Sequence, residues 1–582
     1  MTVTLEQLAD EIVETDILIL GGGLAGCMAA IRAKEKNNLD VVVVEKAAIM
    51  RSGEAGHGVD HYPGLAHPKI NAIDAEEYGR KRAGDLHPLV STKLSVITAK
   101  NAFKPLALLE DIGVKIREED GTFKVAPGRL KVLPRAIERQ GLVKGDFVLI
   151  RAADLKIKLA AEVRKRGVRV FEHTMLTNLI TKDGSVTGAT AVNVRNGKFV
   201  VFKAKGVALT TGAMQSRIYS YPYATFPNNL FIGSSCPANL GSGAAAAYRA
   251  GARLINLEFV DVHVCALGWD FGPQGATMMG KMKNLAGEDL FEKYLRVTTQ
   301  RGKGAFYPWG AYAFMPDMSK PEIDRNVISR HWDGVGEEAE LYQHFSGANE
   351  TPFVLKLMRD RGGLRKAPFE LFPWLRGMPR GISGVMMDER GETSLKGLFV
   401  AGDIVGGLPA YAGPGAYVWG SRIADHLTEY VPDAKKPVLD GEQIMQVRAE
   451  RDRVRAPLGR KDGVNPLELE DLVRKINTYY VGINKIEPRL ERALELIKVL
   501  KERFVPTLMA RNPHELMRAL EVQDILDLSE IHAQTALIRT ETRMPPHHYR
   551  VDYPEQDDMH WQKSIVIRRV AGEMKHTLET LA

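Results

Sequence analysis

The chain has 582 residues, which is too long for one hydrophobic core and predicts roughly two to four domains. Hydrophobic residues make up 45% and charged residues 26%, as is typical of a globular protein. The net charge of +7 comes without a basic tract, which argues against nucleic-acid binding; it fits an anionic substrate or partner, or ordinary surface lysines and arginines.

The three cysteines, Cys27, Cys236 and Cys265, are too scattered for a disulfide framework, a zinc site or an iron–sulfur cluster. We therefore expect no metal site in this chain and buried, apolar-like cysteines. The acidic N-terminus lacks a basic–apolar signal pattern, and no apolar run approaches about 18 residues. These features predict a cytoplasmic chain without a membrane span, either free or docked to a membrane-bound partner.

The first predicted element is the apolar strand Ile17–Leu20, which runs directly into the glycine-rich turn GGGLAG and then into a helix. Gly21 permits the tight turn, and Gly23 permits a pyrophosphate to approach the main chain. Gly26 permits the helix to pack against the strand. This pattern predicts a phosphate-binding turn between a strand and a helix.

The helix that follows the turn strengthens this prediction. Its N-terminus, with Leu24 and Ala25, presents free amides and the positive end of the helix dipole to the phosphates. A second apolar strand, Val41–Val44, ends in Glu45, about 20 residues after the last glycine of the turn, where a carboxylate can accept a hydrogen bond from a ribose hydroxyl. Together these features predict a dinucleotide site.

The loop after the second strand is rich in small residues, which allow the backbone to lie close to a flat ring. Arg51 and Ser52 are placed to meet phosphate or ring oxygens, and a plain surface loop is the alternative. The predicted cofactor contacts in this loop are Lys46, Ala47, Arg51, Ser52 and Gly53.

Residues 70–170 read as helices with short strands, including an amphipathic stretch over 153–166. The strands predicted next are 168–172, 175–181, 186–194, 199–205 and 206–209. Asn196-Gly197 between alternating runs predicts a hairpin. The last strand ends in Thr210-Thr211-Gly212, and we expect Thr211 and Gly212 to contact the cofactor through their backbone.

Residues 231–385 change character, being rich in Gly, Met, Trp and Phe without a long periodic element, as expected of an inserted cap that lines a cleft. Inside this range, Leu254–His263 is predicted to be a strand that carries a histidine at its end. The first domain resumes with the strand Leu398–Val400 and a helix from about Ala416 to Leu427. The predicted cofactor contacts here are Gly402, Asp403, Gly415 and Ala416, an aspartate that can hold a polyol chain and a helix N-terminus that can stabilise negative charge.

Residues 433–440 read as a linker, and the chain beyond is predicted to be mostly helical. One apolar stripe consists of Leu490, Ala493, Ile497, Leu500 and Phe504, and Asn512-Pro513 predicts a helix start. The predicted fold is α/β: a Rossmann-like dinucleotide-binding domain (1–230 and 386–432), an inserted α+β capping domain (231–385) and a C-terminal helical domain (433–582).

The ordered motifs resemble the flavoprotein subunits of the succinate dehydrogenase/fumarate reductase superfamily, over nearly the whole chain. The motifs are GGGLAG, VVVVEKAAIMRSG, DRNVISR, GETSLKGLFVAGD and RTETRMPPHHYRVDYPEQDDMHWQK. EKAAIMRSG, the last motif and NPHELMRALE bring the chain nearest, within that superfamily, to the alpha chains of adenylylsulfate reductases. The resemblance implies FAD, an iron–sulfur (ferredoxin-like) partner protein, and a small anionic substrate.

Three departures from the family pattern matter. Gly53 stands where respiratory fumarate reductases carry the histidine that bonds to the flavin, which implies a non-covalent FAD; His57 is a less favoured alternative. The histidine of the His-Tyr-x-Met-Gly-Gly run of dicarboxylate-reducing members falls near Pro379, and the histidine-bearing run of adenylylsulfate reductases is missing. Arg376 and Arg380 stand in that region instead.

The resemblance also implies catalytic residues. Arg325 falls at the position of the family's proton-transferring arginine, and His263 at that of its substrate-binding histidine; Arg330 and Arg380 are further candidate anion ligands. A salt-bridged arginine and a buried structural histidine are the alternatives. The implied function is an FAD-dependent reductase resembling adenylylsulfate reductase. The alternatives are a fumarate reductase-like reductase of an unsaturated acid and an electron-transfer flavoprotein without its own substrate.

Overall fold

The computed structural model describes most of the chain, and every structural statement below refers to those residues. They are 4–36, 38–62, 64–68, 70, 73–84, 86, 88–123, 148–214, 216–219, 236–266, 281–284, 286–288, 327–330, 369–409, 411, 413–544 and 547–581.

The described strands are, in chain order, β1 (Glu11–Leu20), β2 (Val41–Val44), β3 (Val59–Tyr62), β4 (Val148–Ala152), β5 (Arg169–Phe171), β6 (Thr174–Lys182), β7 (Ser185–Asn193), β8 (Phe199–Leu209), β9 (Leu254–Ile255), β10 (Asp261–Ala266), β11 (Lys281–Asn284), β12 (Val327–Arg330), β13 (Phe369–Gly377), β14 (Gly384–Val385), β15 (Leu398–Val400), β16 (Asn484–Lys485), β17 (Tyr549–Arg550), β18 (Ser564–Val570) and β19 (Glu573–Glu579).

The described α-helices are α1 (Leu5–Leu8), α2 (Leu24–Lys36), α3 (Ala75–Gly84), α4 (Thr92–Asn101), α5 (Pro105–Asp111), α6 (Leu155–Lys165), α7 (Ser242–Arg249), α8 (Gly413–Tyr430), α9 (Gly441–Arg455), α10 (Pro466–Ile476), α11 (Glu487–Val499), α12 (Pro513–Ile538) and α13 (Asp558–Trp561). Short 3-10 turns lie at Glu54–His57, Ala456–Gly459 and Val505–Thr507, and π-helical turns lie at Asn477–Val481 and Leu500–Phe504.

The main sheet has seven strands among the described residues, in the order β5–β2–β1–β8–β7–β6, with β15 also beside β8. Strands β5, β2, β1, β8 and β15 run parallel, and most of their apolar side chains share one hydrophobic core with helices α2, α6 and α8. The register pairs Leu20 with both Val44 and Leu209, and Val400 with Leu209. Four carboxyl ends therefore meet at one edge, which confirms the predicted Rossmann-like α/β class.

Several predicted elements are confirmed with small shifts of their ends. The strands over 41–44 and 398–400 have the predicted bounds, and the amphipathic stretch over 153–166 is α6. The predicted hairpin joins β7 to β8, with Gly197 at φ 75° in its turn. The second predicted helix of the first domain is longer than expected, because α8 begins at Gly413 rather than near Ala416.

Two strand predictions are wrong in their continuity. The segments 199–205 and 206–209 form the single strand β8, which pairs antiparallel with β7 and then parallel with β1. The strand predicted over 254–263 is interrupted, since Asn256 adopts a left-handed conformation at φ 57° and its buried side-chain amide donates to two main-chain carbonyls. The chain resumes as β10, in a different sheet.

The predicted cap contains a four-stranded sheet in the order β10–β13–β12–β11, with antiparallel neighbours. Parts of the predicted range 231–385 pack with the main sheet instead of the cap sheet. They are helix α7 and the segments around β9 and β14, whose buried residues Ala245, Leu254, Leu257, Met378 and Val385 belong to the core of the main sheet. The domain boundaries stay predictions.

The C-terminal region packs helices α10, α11 and α12 around a second core. The predicted stripe lies there: Leu490, Ala493, Ile497 and Leu500 are buried, and Phe504 packs against them. Asn512 caps α12 by accepting a hydrogen bond from the Glu515 amide, 3.0 Å away, as the sequence predicts. Among the described helices, none combines the length and apolar character needed to cross a membrane.

Residues 564–570 and 573–579, close to the end of the described chain, form strands. This corrects the expectation that the C-terminal region is mostly helical to its end. Strands β18 and β19 form a hairpin that pairs with β9, and β9 pairs in turn with β14. These two strands thus complete a sheet with β9 and β14, which precede and follow the strands of the cap sheet in the chain.

Candidate cofactor site

The glycine turn between β1 and α2 has one open face. A methyl carbon added at Gly21 would lie 2.5 Å from the Thr210 carbonyl oxygen, and one at Gly26 would lie 1.9 Å from the Gly21 carbonyl oxygen. Gly21 also has φ +104°. At Gly23, by contrast, no atom of the described chain lies within 4 Å of such a methyl. Gly21 and Gly26 are required by packing, whereas Gly23 leaves its face accessible to a phosphate.

Glu45 lies behind this turn rather than at the surface. Its Oε2 accepts a hydrogen bond from the Gly22 amide at 2.7 Å, and its Oε1 accepts one from the Ala47 amide at 2.8 Å. A carboxylate has about four lone-pair sites, so both oxygens keep capacity for a ribose hydroxyl. The structure therefore brings Glu45 and Ala47 to the turn, and the ribose contact stays a prediction.

The loop after β2 lies directly against the turn. The Ser52 hydroxyl donates to the Gly22 carbonyl oxygen at 3.3 Å. Gly53 has φ +76°, and a methyl added there would be 3.3 Å from the Gly23 Cα. Ser52 and Gly53 therefore form one wall beside the open face.

The two cations of this loop have protein partners. Arg51 donates from Nη1 to the Gly56 carbonyl at 3.1 Å and fixes the loop. The Lys46 ammonium donates to the Ala238 carbonyl at 2.9 Å and to Glu521 at 3.0 Å, on the side of α12. The structure shows Arg51 bonded to a main-chain carbonyl and Lys46 bonded to a carbonyl and to a carboxylate. The cofactor contacts predicted for both residues stay predictions.

The segment after β8 lies beside the turn. The Thr210 hydroxyl donates to the Gly21 carbonyl oxygen at 2.7 Å. Among the described residues, the buried Thr211 hydroxyl oxygen has no hydrogen-bond partner. Gly212 has φ +81°, and a methyl there would be 3.0 Å from the Asn239 side chain. Thr211 and Gly212 thus lie beside the turn, and their backbone contact with the cofactor stays a prediction.

Two long helices begin at the site. A methyl at Gly402 would be 3.0 Å from the Ala25 Cβ in the first turns of α2, so the loop carrying Asp403 abuts that helix. A methyl at Gly420 of α8 would be 2.5 Å from the Ala25 carbonyl oxygen, so α8 packs closely on α2. The first turn of α8 contains Gly415 and Ala416. Two helix dipoles therefore place their positive ends near the open face.

Arg380 is brought to the cofactor site. Its Nη1 lies 3.7 Å from Asp403 Oδ2, and its Nη2 lies 3.9 Å from Glu54 Oε2. The other oxygen of Glu54 accepts hydrogen bonds from the Cys236 amide at 2.9 Å and the Asn239 side chain at 2.7 Å. The sequence interpretation missed Glu54, and the available signal was an acid directly after Gly53 in a loop of small residues.

A second residue missed from the sequence is Lys156, which is 1% exposed and donates from Nζ to the Gly22 carbonyl oxygen. It shares the buried face of α6 with Leu159, Ala160 and Val163. A lysine at helical spacing within an apolar stripe was the available signal.

The predicted catalytic residues of the cap are only partly described. His263 lies on β10 opposite Trp374, and Arg330 ends β12 opposite Lys281, so both belong to the cap sheet. Arg325 lies outside the described residues. For His57, the backbone is described in the short turn after Gly53, while its side chain lies outside the description. The roles of all four stay predictions.

The C-terminal motif RTETR lies beneath the segment that leads to β10. Arg539 forms ion pairs with Glu258 at 2.7 Å and Glu541 at 2.9 Å, and these three side chains are fully buried. Burial raises the pKa of Glu258, while Arg539 opposes that rise. The motif therefore fixes the base of the cap through a buried ionic network.

Burial raises the pKa of the Cys236 thiol, so a thiolate is disfavoured there. Within the described ranges, no group of three or more His, Cys, Asp or Glu side chains is arranged to hold a metal ion.

Comparison with known proteins identifies the family. Residues 16–418 match the FAD binding domain family, and residues 470–581 match the fumarate reductase flavoprotein C-terminal family. A fumarate reductase (CoM/CoB) subunit from Methanothermobacter marburgensis is 26% identical over 97% of this chain and 98% of that protein. The Helicobacter pylori fumarate reductase flavoprotein subunit is 24% identical over 94% of this chain and 81% of that protein.

Solved structures agree with the fold. Adenylylsulfate reductase from Archaeoglobus fulgidus matches with a TM-score of 0.83 at 23% identity, covering 100% of this chain and 98% of that one. A quinol fumarate reductase of E. coli matches with a TM-score of 0.73 at 19% identity, covering 98% and 97%. The open face at Gly23 and the two helix N-termini fit FAD. The chain belongs to the fumarate reductase/succinate dehydrogenase family of flavoproteins and is an FAD-dependent oxidoreductase.

Proposed function

We propose that the chain is the flavin-bearing catalytic subunit of a reductase that resembles adenylylsulfate reductase and acts on a small anionic substrate. The observation that carries this proposal is the position of Arg380. Its guanidinium lies within 4 Å of Asp403 and of Glu54, at the edge of the sheet where the cofactor binds. A guanidinium beside the flavin site can hold a carboxylate or a sulfate with paired N–H donors.

Bound FAD would supply transfer of a hydride or an electron pair. We propose that the turn shaped by Gly21 and Gly26 holds the cofactor through the open face at Gly23, and that Glu45 and Asp403 bind its hydroxyl groups. Gly53 carries no side chain at the position of the family's flavin-linked histidine, which supports a non-covalent cofactor. Acid precipitation is therefore expected to leave the flavin in the supernatant, and yellow precipitated protein would contradict this.

The cap is proposed to complete the substrate site. His263 and Arg330 lie on its sheet, and Arg325 precedes β12 in the sequence. Arginines remain positively charged at any working pH. Arg325, Arg330 and Arg380 would therefore stabilise the negative charge of the substrate. If the substrate is an unsaturated acid, Arg325 would also pass a proton to it, with another group restoring that proton.

The electron-transfer partner is proposed to be an iron–sulfur protein. The three cysteines are scattered, and the similar proteins from M. marburgensis and H. pylori are named as subunits. We further propose a cytoplasmic assembly. A ferredoxin-like reading frame beside this gene would support the adenylylsulfate reductase arrangement.

A fumarate reductase-like activity is the second candidate, because relatives named as subunits of fumarate reductases align over 94–97% of this chain. Sulfite titration of the purified, oxidised holoprotein separates the two. Bleaching of the flavin band by sulfite, followed by AMP-dependent transfer of two electrons from the flavin to an added electron acceptor, supports adenylylsulfate chemistry. Turnover with fumarate-type acceptors alone overturns it. Failure of both substrates would favour an electron-transfer flavoprotein without its own substrate.

The Arg325→Ala variant tests the cap residue directly. We expect its turnover to be abolished while the flavin spectrum stays that of the bound cofactor. Full activity in this variant would remove Arg325 from the catalytic proposal.

A further inference from the structure

A buried cation lies behind the phosphate-binding turn. Lys156 is 1% exposed, and its ammonium donates to the Gly22 carbonyl oxygen and lies 3.2 Å from the Cys27 sulfur. Within the described part of the chain, it has no carboxylate in contact. A buried ammonium without an ion pair is costly, so its presence at this place calls for a physical reason.

Three donors converge on one oxygen. The Gly22 carbonyl accepts from Lys156, from the Cys27 thiol at 3.3 Å and from the Ser52 hydroxyl at 3.3 Å. On the other side, the Gly22 amide donates to Glu45 at 2.7 Å. Gly22 is therefore held between a buried anion and a buried cation, which fixes the orientation of both of its peptide planes.

The peptide that joins Gly22 to Gly23 connects this cation to the open face. In a trans peptide the C=O and the N–H point in opposite directions, so the Gly23 N–H points away from Lys156. A cation on the oxygen polarises the peptide and makes its N–H a stronger donor to an anion. Lys156 also offsets the negative charge of Glu45, which would otherwise repel a diphosphate.

We propose that Lys156 is a positioning residue for the cofactor: it holds and polarises the Gly22–Gly23 peptide so that the Gly23 amide binds the diphosphate of FAD. The lysine does not touch the cofactor. Its contribution is specific to the phosphates, and contacts with the adenosine part do not depend on it.

The test is cofactor binding to full-length apoprotein, with Lys156→Met beside Lys165→Met as the control. Lys165 lies on the same helix with its side chain 79% exposed. Lys156→Met is expected to bind FAD at least about 10-fold more weakly, in line with the loss of a hydrogen bond to a charged group. Lys165→Met is expected to bind FAD as the unaltered protein does.

Competition against FAD by ADP and by adenosine separates polarisation from a general structural role. Lys156→Met is expected to weaken the binding of ADP by a similar factor and to leave the binding of adenosine unchanged. An unchanged FAD affinity, or an equal loss for ADP and adenosine, would overturn the proposal. The ratio of the two affinities stays informative if the variant melts at a lower temperature.

Discussion

At the scale of single residues, the three motif glycines of the turn have separate functions. Gly21 and Gly26 are enclosed by backbone atoms, since added methyls would lie 2.5 Å and 1.9 Å from carbonyl oxygens. Gly23 is enclosed by nothing within 4 Å in the described chain. The surroundings of the three glycines therefore follow the separate functions that the motif predicts, and the phosphate contact of Gly23 stays a prediction.

This division gives a prediction. Gly23→Ala should fold with an unchanged melting temperature as apoprotein but bind FAD about 10-fold or more weakly, because its methyl projects toward the phosphates. Gly26→Ala should instead lose soluble, folded protein, because the methyl would overlap the Gly21 carbonyl. Thermal melts of the apoproteins and FAD titrations measure the two effects. A Gly23→Ala variant with normal FAD affinity would contradict the assignment of the open face.

Arg380 allows a second prediction at this scale. Arg380→Met should lower turnover by about 100-fold or more, since it removes a charged donor beside the cofactor, while FAD stays bound. Arg390→Met is the matched control, because that side chain is 52% exposed and pairs only loosely with Glu429. Steady-state kinetics with the substrate identified by the sulfite and fumarate tests provide the measurement. Equal loss in both variants would remove Arg380 from the substrate site.

Lys485 gives a pH-dependent prediction. Burial lowers the pKa of this fully enclosed lysine from 10.5 to about 7, with a further contribution from Arg550. Between these values the unfolded chain holds a proton that the folded chain lacks, so stability rises with pH in that window. Relative to Lys485→Met, the protein should gain about 1.4 kcal/mol per pH unit above pH 7.

Denaturant unfolding at about pH 7 and about pH 9 measures that gain. Lys498→Met, whose parent side chain is 70% exposed, should differ from the unaltered protein by the same amount at both pH values. A constant difference for Lys485→Met as well would show that the lysine is charged in the folded state.

The sequence was a good guide to the residues whose positions are fixed by the geometry of the glycine turn. Gly21, Gly26 and Glu45 could be placed because the turn geometry fixes them. Glu54 and Lys156 were missed, since the contacts of a long side chain depend on which helix or loop packs beside it. For the same reason the sequence could not show that the Lys46 ammonium turns toward Glu521.

At the scale of secondary-structure elements, the close crossing of α2 and α8 sets the cofactor site. Gly420 lies over the Ala25 carbonyl, where a methyl would be 2.5 Å away, and 3.0 Å from the Met28 Cβ. Both helices place their first turns at the site, so any separation of the pair moves two sets of free amides.

Gly420→Ala should therefore destabilise the protein by about 1–3 kcal/mol, as overpacking does, and weaken FAD binding. Gly441→Ala is the matched helical control, because no described atom lies within 4 Å of its added methyl. That control should be neutral or slightly stabilising. Melting temperatures with and without FAD measure both effects, and a Gly420→Ala protein as stable as the control would refute the close crossing.

Strands were predictable where both ends carried a clear signal. The run over 41–44 is apolar and lies between Asp40 and Glu45, and the run over 398–400 follows Gly397 and ends just before Ala401-Gly402, as buried parallel strands do. The run over 254–263 looks equally continuous, but Asn256 turns left-handed inside it. The side-chain partners that favour this turn come from distant segments, so local periodicity cannot show it.

At the scale of the whole molecule, one buried ionic cluster joins the main sheet to the helical region. Arg217 donates to Glu470 at 2.8 Å and to Glu521 at 2.7 Å, and Lys46 also pairs with Glu521. Burial raises the pKa of Glu521, but Lys46, Arg217 and Arg518 outweigh it and lower the pKa to about 2. The cluster therefore stays ionised at neutral pH.

Removing its central cation should loosen the molecule at this junction. Arg217→Met leaves two buried carboxylates short of a partner and should cost about 3–5 kcal/mol of stability. Arg511→Met, which removes an exposed pair with Glu515, should change stability by less than about 1 kcal/mol. Urea unfolding, followed by tryptophan fluorescence, measures the free energy of unfolding of both variants. Similar values for the two variants would show that the cluster contributes little.

The hairpin of β18 and β19 ties the root of the cap to a segment that the ribosome makes much later. Val566 pairs with Ile255 and Ile567 with Leu254, on the strand that precedes β10 of the cap sheet. During synthesis, β9 has no hairpin partner until residues 564–579 have emerged, so the base of the cap matures long after its own strands are made. Deleting this hairpin would then act on β9 and β14, which lie roughly 200 to 300 residues upstream in the chain.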